Sequence, residues 1–202
     1  MTYFFKYAAD GIPADRANVC TFKRREPLPK RHLWKIHAGA VRVVTWDDEG
    51  NVMPLGFWEE GSLIGGVLVV AEPCEIQALT PVTAERLSPS TIVPAATFVA
   101  QSRQTAELLK ILHCRQVDSR LLQLVRWLLE RFGDSTPEGE SLSLRMTHQE
   151  IAEAIGSTRV TVTRTLKQLE ANGYLRRVGA GKIIFDRALW ARSNSFSERF
   201  HR

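Results

Sequence analysis

Cysteine is scarce in this chain. Its 202 residues hold three, Cys20, Cys74 and Cys114, an odd number at wide spacing. That excludes a disulfide framework and a tetrathiolate zinc site, and it suits a reducing cytoplasm. Long apolar runs are also missing. The longest, Leu63 to Ala71, is broken by Gly65 and Gly66 and falls well short of the roughly 18 to 20 residues of a membrane span. The first residues show no basic region followed by an apolar core and a cleavage site, so no secretion signal is expected. Of the five histidines, only His32 and His37 lie in the N-terminal half, near its start. A barrel-type metal site needs several histidines and a carboxylate converging from different strands. What remains is 44% apolar, enough for a globular fold of one large domain or two small ones and too much for disorder.

Charge is unevenly placed. Residues 141–202 contain 11 Lys and Arg against 5 Asp and Glu, while residues 1–140 contain 16 against 17. The positive excess therefore collects in the C-terminal third, as in a nucleic-acid-binding domain.

That third holds the most legible stretch, Thr147 to Tyr174. Thr147 with Glu150 three residues on is a capping-box pattern, which starts a helix by satisfying its partnerless N–H groups. Ile151, Ala154 and Ile155 follow as a narrow apolar stripe at helical spacing. Gly156 ends that helix, because the residue past a helix end often takes a left-handed backbone that glycine adopts at little cost. Ser157 or Thr158 can cap a second helix at once. Two short helices about so tight a turn predict a helix-turn-helix. On the second helix Val162, Leu166 and Leu169 fall in one arc and point inward. Val160, Thr163, Arg164 and Lys167 lie opposite, with Arg159 at the flank of the first turn. This face carries cations, hydroxyls and no acid. Arginine pairs bidentately with guanine in the major groove, and Thr or Val methyl groups touch a thymine methyl. An arbitrary basic helix is more often a solvated face; here cap, turn glycine and acid-free polar face agree on DNA.

The flanking sequence extends the pattern. Asn172-Gly173 ends the second helix, and Tyr174–Val178 and Lys182–Phe185 flank Gly179-Ala180-Gly181 as a hairpin, the wing of a winged helix. Beyond it, a helical turn around Trp190 leads into a polar tail. Upstream, Leu121, Leu122, Leu124, Val125, Leu128 and Leu129 form a strongly apolar helix reaching Phe132, preceded by a hinge over 115–120. Gly133 to Gly139 reads as a loop and Leu142 to Leu144 as a short strand. From Ala95 to Cys114 a longer helix carries Phe98, Val99, Ser102, Thr105, Ala106, Leu109 and Leu112 at spacings of three and four. One side can pack inside the chain while the other pairs with a second copy in coiled-coil fashion. Burial wholly within one chain is the alternative. Before it, Leu33 to Leu87 reads as short strands separated by turns, among them Asp47-Asp48-Glu49-Gly50-Asn51 and Glu60-Gly61-Ser62, which suggests a small antiparallel roll or barrel. Lys23 to Arg31, with five cations and two prolines, reads as a solvated loop.

The run Ala-Glu-Ala-Ile-Gly-Ser-Thr-Arg-Val-Thr-Val-Thr-Arg over 152–164 resembles the DNA-binding domain of the cyclic-AMP receptor protein and fumarate-nitrate regulator (CRP/FNR) family, and in particular its cyanobacterial nitrogen-control branch. The similarity is dense over 115–185 and looser over 33–87. It implies an α+β fold: a double-stranded β-roll resembling a cyclic-nucleotide-binding domain over 1–93, a dimerisation helix over 94–115 and a winged helix-turn-helix over 116–202. The N-terminus looks shorter than the family's. The implied function is that of a cytoplasmic, homodimeric transcription regulator on palindromic double-stranded DNA, neither an enzyme nor a membrane protein. Contact with RNA polymerase is implied, although repression by occlusion is equally open.

Carried over by position, Arg159, Val160, Thr163 and Arg164 would meet bases. Thr147, His148, Gln149, Thr158, Thr161, Lys167 and Lys182 would hold phosphates. The seven residues from Phe98 to Leu112 would form the dimer helix. Val160 stands where the cyclic-AMP receptor has a cytosine-reading glutamate, so a different, GTA-like half-site is expected.

Members that bind cyclic AMP follow Phe-Ile-Gly with Glu and later place an Arg-Ser pair. Here Gly66 follows Leu63-Ile64-Gly65, and 71–76 lacks Arg-Ser while holding Glu72 and Glu75. A phosphate there would lose its main charge-assisted bonds. Cyclic AMP is therefore not the expected effector, and any other effector, 2-oxoglutarate included, stays open. The family's clustered N-terminal cysteines are missing, which removes iron–sulfur sensing. Haem ligation by Cys74, His32 or His37 is set against a plain structural role, which is favoured, and no cofactor is assigned. The rival readings are a cupin-like metal enzyme or a protein-binding adaptor, each with a DNA-binding tail.

Overall fold

The computed structural model describes residues 18–69, 71–136, 139–142, 144–178 and 182–185. Expectations for residues 1–17, the wing turn Gly179–Gly181 and the tail after Phe185 lie outside these, as do the side chains of Arg177, Val178 and Lys182. The chain forms two compact units, Met1–Glu107 and Leu108–Arg202.

In the first unit, eight strands form two antiparallel four-stranded sheets: β1 (Val19–Phe22), β2 (Pro27–Leu28), β3 (Leu33–Ala38), β4 (Val41–Trp46), β5 (Val52–Trp58), β6 (Leu63–Gly65), β7 (Cys74–Ala78) and β8 (Val82–Arg86). One sheet has the order β1-β8-β3-β6 and the other β2-β7-β4-β5. Their inner faces enclose Trp34, Ile36, Val41, Val43, Trp58, Ile64, Ile76 and Val82, all buried and apolar. This is the expected double-stranded β-roll. The β4–β5 hairpin closes where expected, because the Asp47 carboxylate accepts from the backbone N–H groups of Glu49 (3.0 Å) and Asn51 (2.8 Å).

One short strand, β2, departs from the loop reading of the basic segment, with Leu28 as its inward anchor. It pairs with the distant strand β7, and β1, just upstream with Phe22 facing inward, pairs with β8. Strands of four and two residues are too short for an alternating pattern to show. Between them Lys23–Glu26 makes the turn, with Lys23 N–H donating to the Glu26 carboxylate (2.8 Å).

Helix α1 (Ala95–His113) follows the roll. All seven residues expected in the dimer seam are exposed in the single chain. Phe98 is 43% exposed, Val99 51% and Leu109 53%. The buried side chains of α1 are Gln104, Leu108 and Ile111. Within the first unit, Gln104 Oε1 accepts from Phe57 N–H at 3.0 Å, and Thr105 Oγ1 donates to Leu55 O at 3.2 Å.

The second unit is built on α2 (Val117–Phe132), whose six expected leucine and valine positions are all buried. The helix starts at Val117, so most of the expected hinge forms its first turn. The segment read as a loop is instead β9 (Gly133–Thr136), which pairs with β10 (Gly139–Leu142). Its polar, mostly exposed residues hide the strand pattern. Then come α3 (His148–Ala154), α4 (Arg159–Ala171), β11 (Leu175–Val178) and β12 (Lys182–Phe185). The sheet order is β11-β12-β10-β9, so the wing hairpin is stitched to the first hairpin through β12 and β10. Leu142, Leu144, Ile155, Val162, Leu166, Leu175 and Phe185 complete the core.

Candidate nucleic-acid interface

The helix-turn-helix is set by its caps. Thr147 Oγ1 accepts from Glu150 N–H (3.1 Å), and the Glu150 carboxylate accepts from Thr147 N–H (2.6 Å). This is the predicted capping box. At the far end of α3, Gly156 has φ +56°, and Ser157 N–H donates back to Ala152 O (2.9 Å), closing the turn as a left-handed helix cap does. Thr158 then caps α4 by accepting from Thr161 N–H at 3.1 Å. Replacing Thr147 by Ala removes one half of the box. The C-terminal unit is expected to lose about 0.5–2 kcal/mol, seen as a drop in its thermal midpoint, while the roll is unaffected.

Val162, Leu166 and Leu169 are buried, as their spacing predicted, and Thr165 joins them. The open side carries Arg159, Val160, Arg164 and Lys167, all exposed, with half-buried Thr163. Together these five line a shallow, open concavity. Val160 is 78% exposed, so its methyl groups are open to whatever lies against this face. Among the described residues, Arg159, Arg164 and Lys167 have no ion-pair partner. No acid lies in the first turn of α4, whose N-terminal N–H groups add a positive partial charge.

The expected phosphate contacts divide. Thr147, Gln149, Thr158 and Thr161 lie at the starts of α3 and α4, and Gln149 and Thr158 are exposed. Thr158 Oγ1 and Thr161 Oγ1 stand 2.9 Å apart. One hydroxyl hydrogen lies between them, and the other remains for an outside acceptor. His148 is half-buried, with Nδ1 at 2.7 Å from Thr163 Oγ1. Lys182 sits on β12 opposite Val178.

Two positioning contacts were not foreseen. Thr165 Oγ1 donates to the Asp118 carboxylate at 3.2 Å, and Arg120 donates to Gly156 O at 3.3 Å. The first turn of α2 thereby holds both the turn and the reading helix. The only signal in the sequence was that Thr165 shares the inward arc of Val162 and Leu169.

A β-roll with a C-terminal winged helix-turn-helix bearing an open cationic face defines a DNA-binding transcription regulator. Residues 122–189 match the Crp-like helix-turn-helix domain family. Regulatory protein CysR of Synechococcus elongatus is 39% identical over 161 residues, 78% of each chain. The global nitrogen regulator of the same organism is 47% identical over 66 residues, 33% of this chain and 30% of that one, which places its likeness in the DNA-binding part. A crystal structure of a CRP-family regulator from Thermus thermophilus has a TM-score of 0.72 at 22% identity, covering 86% of this chain and 95% of the other. The chain belongs to the CRP/FNR family of transcription regulators.

Proposed function

We propose that this regulator acts as a homodimer on a palindromic duplex site, α4 of each copy lying in a major groove. The observation that carries this is the acid-free face of α4, with Arg159, Arg164 and Lys167 free of ion-pair partners among the described residues around exposed Val160. Arg159 and Arg164 read guanine edges, Val160 touches a thymine methyl, and Thr163 adds a further base contact. Thr147, Gln149, Thr158, Thr161, Lys167 and Lys182 hold phosphates and fix register. Residues 1–93 serve as the sensor-like roll, 94–115 as the dimer helix and 116–202 as the reading domain. The half-sites lie about 10–10.5 base pairs apart, with a GTA-like core suggested by likeness to the nitrogen regulators. Contact with RNA polymerase follows from the family. Selection of bound sequences from a random duplex pool tests half-site, spacing and symmetry together; a pool that stays random rejects the reading.

Cyclic AMP does not fit as the effector. Gly66 has φ +55°, a backbone that disfavours the glutamate other members need there. Glu72 is held by Lys30, which donates to both carboxylate oxygens at 2.7 and 2.6 Å, so its cation is already engaged. Cys74 faces the apolar interior, and burial pushes its thiol up, away from the thiolate a metal ligand requires. His37 pairs with Glu85 at 2.9 Å. Among the described residues, no three His, Cys, Asp or Glu side chains converge as a metal site, and none of their helices is long and apolar enough to cross a membrane. The buried Cys74 and the engagement of Lys30 and His37 favour a regulator over a cupin-like enzyme.

Lys167→Ala is expected to weaken matched and scrambled duplexes alike and to reduce the slope of log affinity against log salt by about one per copy, about two for the dimer. Titrations at several salt concentrations read it directly. A loss confined to the matched duplex would make Lys167 a base reader.

A further inference from the structure

We infer that Thr163 reads DNA through its methyl group, and that His148, rather than gripping a phosphate, is the positioning residue that turns the methyl outward. This rests on α4 being the reading helix. Thr163 Oγ1 lies 2.8 Å from Arg159 O, one helical turn back, and donates to it. It also lies 2.7 Å from His148 Nδ1, at the start of α3.

A threonine hydroxyl has one hydrogen. Two oxygens at 2.8 Å repel unless a hydrogen stands between them, and only the threonine's is available there. His148 Nδ1 must therefore carry a hydrogen and donate it to Thr163 Oγ1, as either the Nδ1–H tautomer or the imidazolium. The hydroxyl then donates once and accepts once, and a β-branched side chain held at two points has one χ1 setting. It has no hydrogen left for guanine N7 or O6, for thymine O4 or for a phosphate. Apart from one remaining oxygen lone pair, which can only accept, what Thr163 offers the concavity it shares with Arg159, Val160 and Arg164 is its methyl, whose partner in the major groove is the thymine C5-methyl.

The test is a thymine-to-uracil scan of the selected half-site, which removes one methyl at a time and leaves every hydrogen-bonding edge in place. For the unaltered dimer, one position is expected to lose roughly fourfold in affinity on Thr163's account, the worth of one buried methyl-sized group. Thr163→Ser, which keeps the hydroxyl, loses that sensitivity; Thr163→Val, which keeps the methyl, retains it whatever its overall affinity. His148→Ala lets the hydroxyl turn and blunts the same position, and His148→Asn, which restores a donor near Nδ1, recovers it.

Thermal melts of each variant separate these effects from misfolding. Two results would overturn the inference: Thr163→Ser leaving the uracil penalty unchanged at every position, not only at the thymine that Val160 touches, or His148→Ala weakening all duplexes equally with a flatter salt slope, as a phosphate ligand would. Loss of all sequence preference in the unaltered protein would instead remove the reading helix itself, a separate outcome.

Discussion

A chain carrying Val99→Glu and Leu109→Glu is expected to sediment as a monomer and to lose about 10²- to 10⁴-fold in affinity for its palindrome. Both side chains lie on the open face of α1 and are about half exposed in the single chain. With Phe98, Ala106 and Leu112 they make an apolar stripe along a helix whose opposite face is already buried through Gln104, Leu108 and Ile111. Monomeric proteins seldom leave such a stripe uncovered. Each fully buried Val or Leu contributes on the order of 1.5–3 kcal/mol, and a facing copy supplies that burial twice over by symmetry. Paired glutamates across a two-fold seam add repulsion and desolvation to the lost contact.

The loss on DNA follows from connection. Two reading helices joined in one particle bind the second half-site at high effective concentration, which supplies the stated factor without a new contact. Half-site affinity should barely move, because neither substitution touches the reading helix, and the melting midpoint should fall only by what association contributes and become independent of protein concentration. A variant that remains a dimer at micromolar concentration, measured by analytical ultracentrifugation, would place the seam elsewhere.

The same helix marks where the sequence stops being legible. Leu108 and Leu109 are neighbours of the same type, and only packing decides that one is buried and the other open. Gln104, a polar residue, occupies a buried position because the Phe57 N–H needs an acceptor, a partner 47 residues away that no local pattern reveals. The helix-turn-helix was readable because its signals are local: a cap and its glutamate three residues apart, a glycine at φ +56° and leucines one turn apart. The strands β1, β2 and β9 were not, since what makes them strands is register with distant partners rather than their own alternation. The contacts of Thr163 with His148 and Thr165 with Asp118 fail to show for the same reason. They join residues 15 and 47 positions apart, so in the sequence Thr163 reads only as a base contact and His148 only as a phosphate contact.

Arg159→Ala is expected to cost about 1–3 kcal/mol per half-site on the matched duplex, roughly five- to 150-fold in affinity for each, and far less on a scrambled one. The guanidinium stands in the first turn of α4, outside the core formed by Val162, Thr165, Leu166 and Leu169, with no carboxylate among the described residues to hold it back. Its removal leaves the fold alone, so the whole loss belongs to recognition. A bidentate pair with guanine carries sequence information because an adenine at that place offers a donor where O6 accepted, leaving the arginine partly unpaired in a desolvated groove. Without the arginine, guanine and adenine become near equivalents there, and preference should relax at one base pair per half-site. Each half-site bears the loss separately, so a duplex with one altered half shows about half the free-energy penalty of one with both. Equal weakening of matched and scrambled duplexes would demote Arg159 to a phosphate contact and leave Arg164, Val160 and the methyl of Thr163 as the readers, with a half-site read mainly through thymine methyl groups.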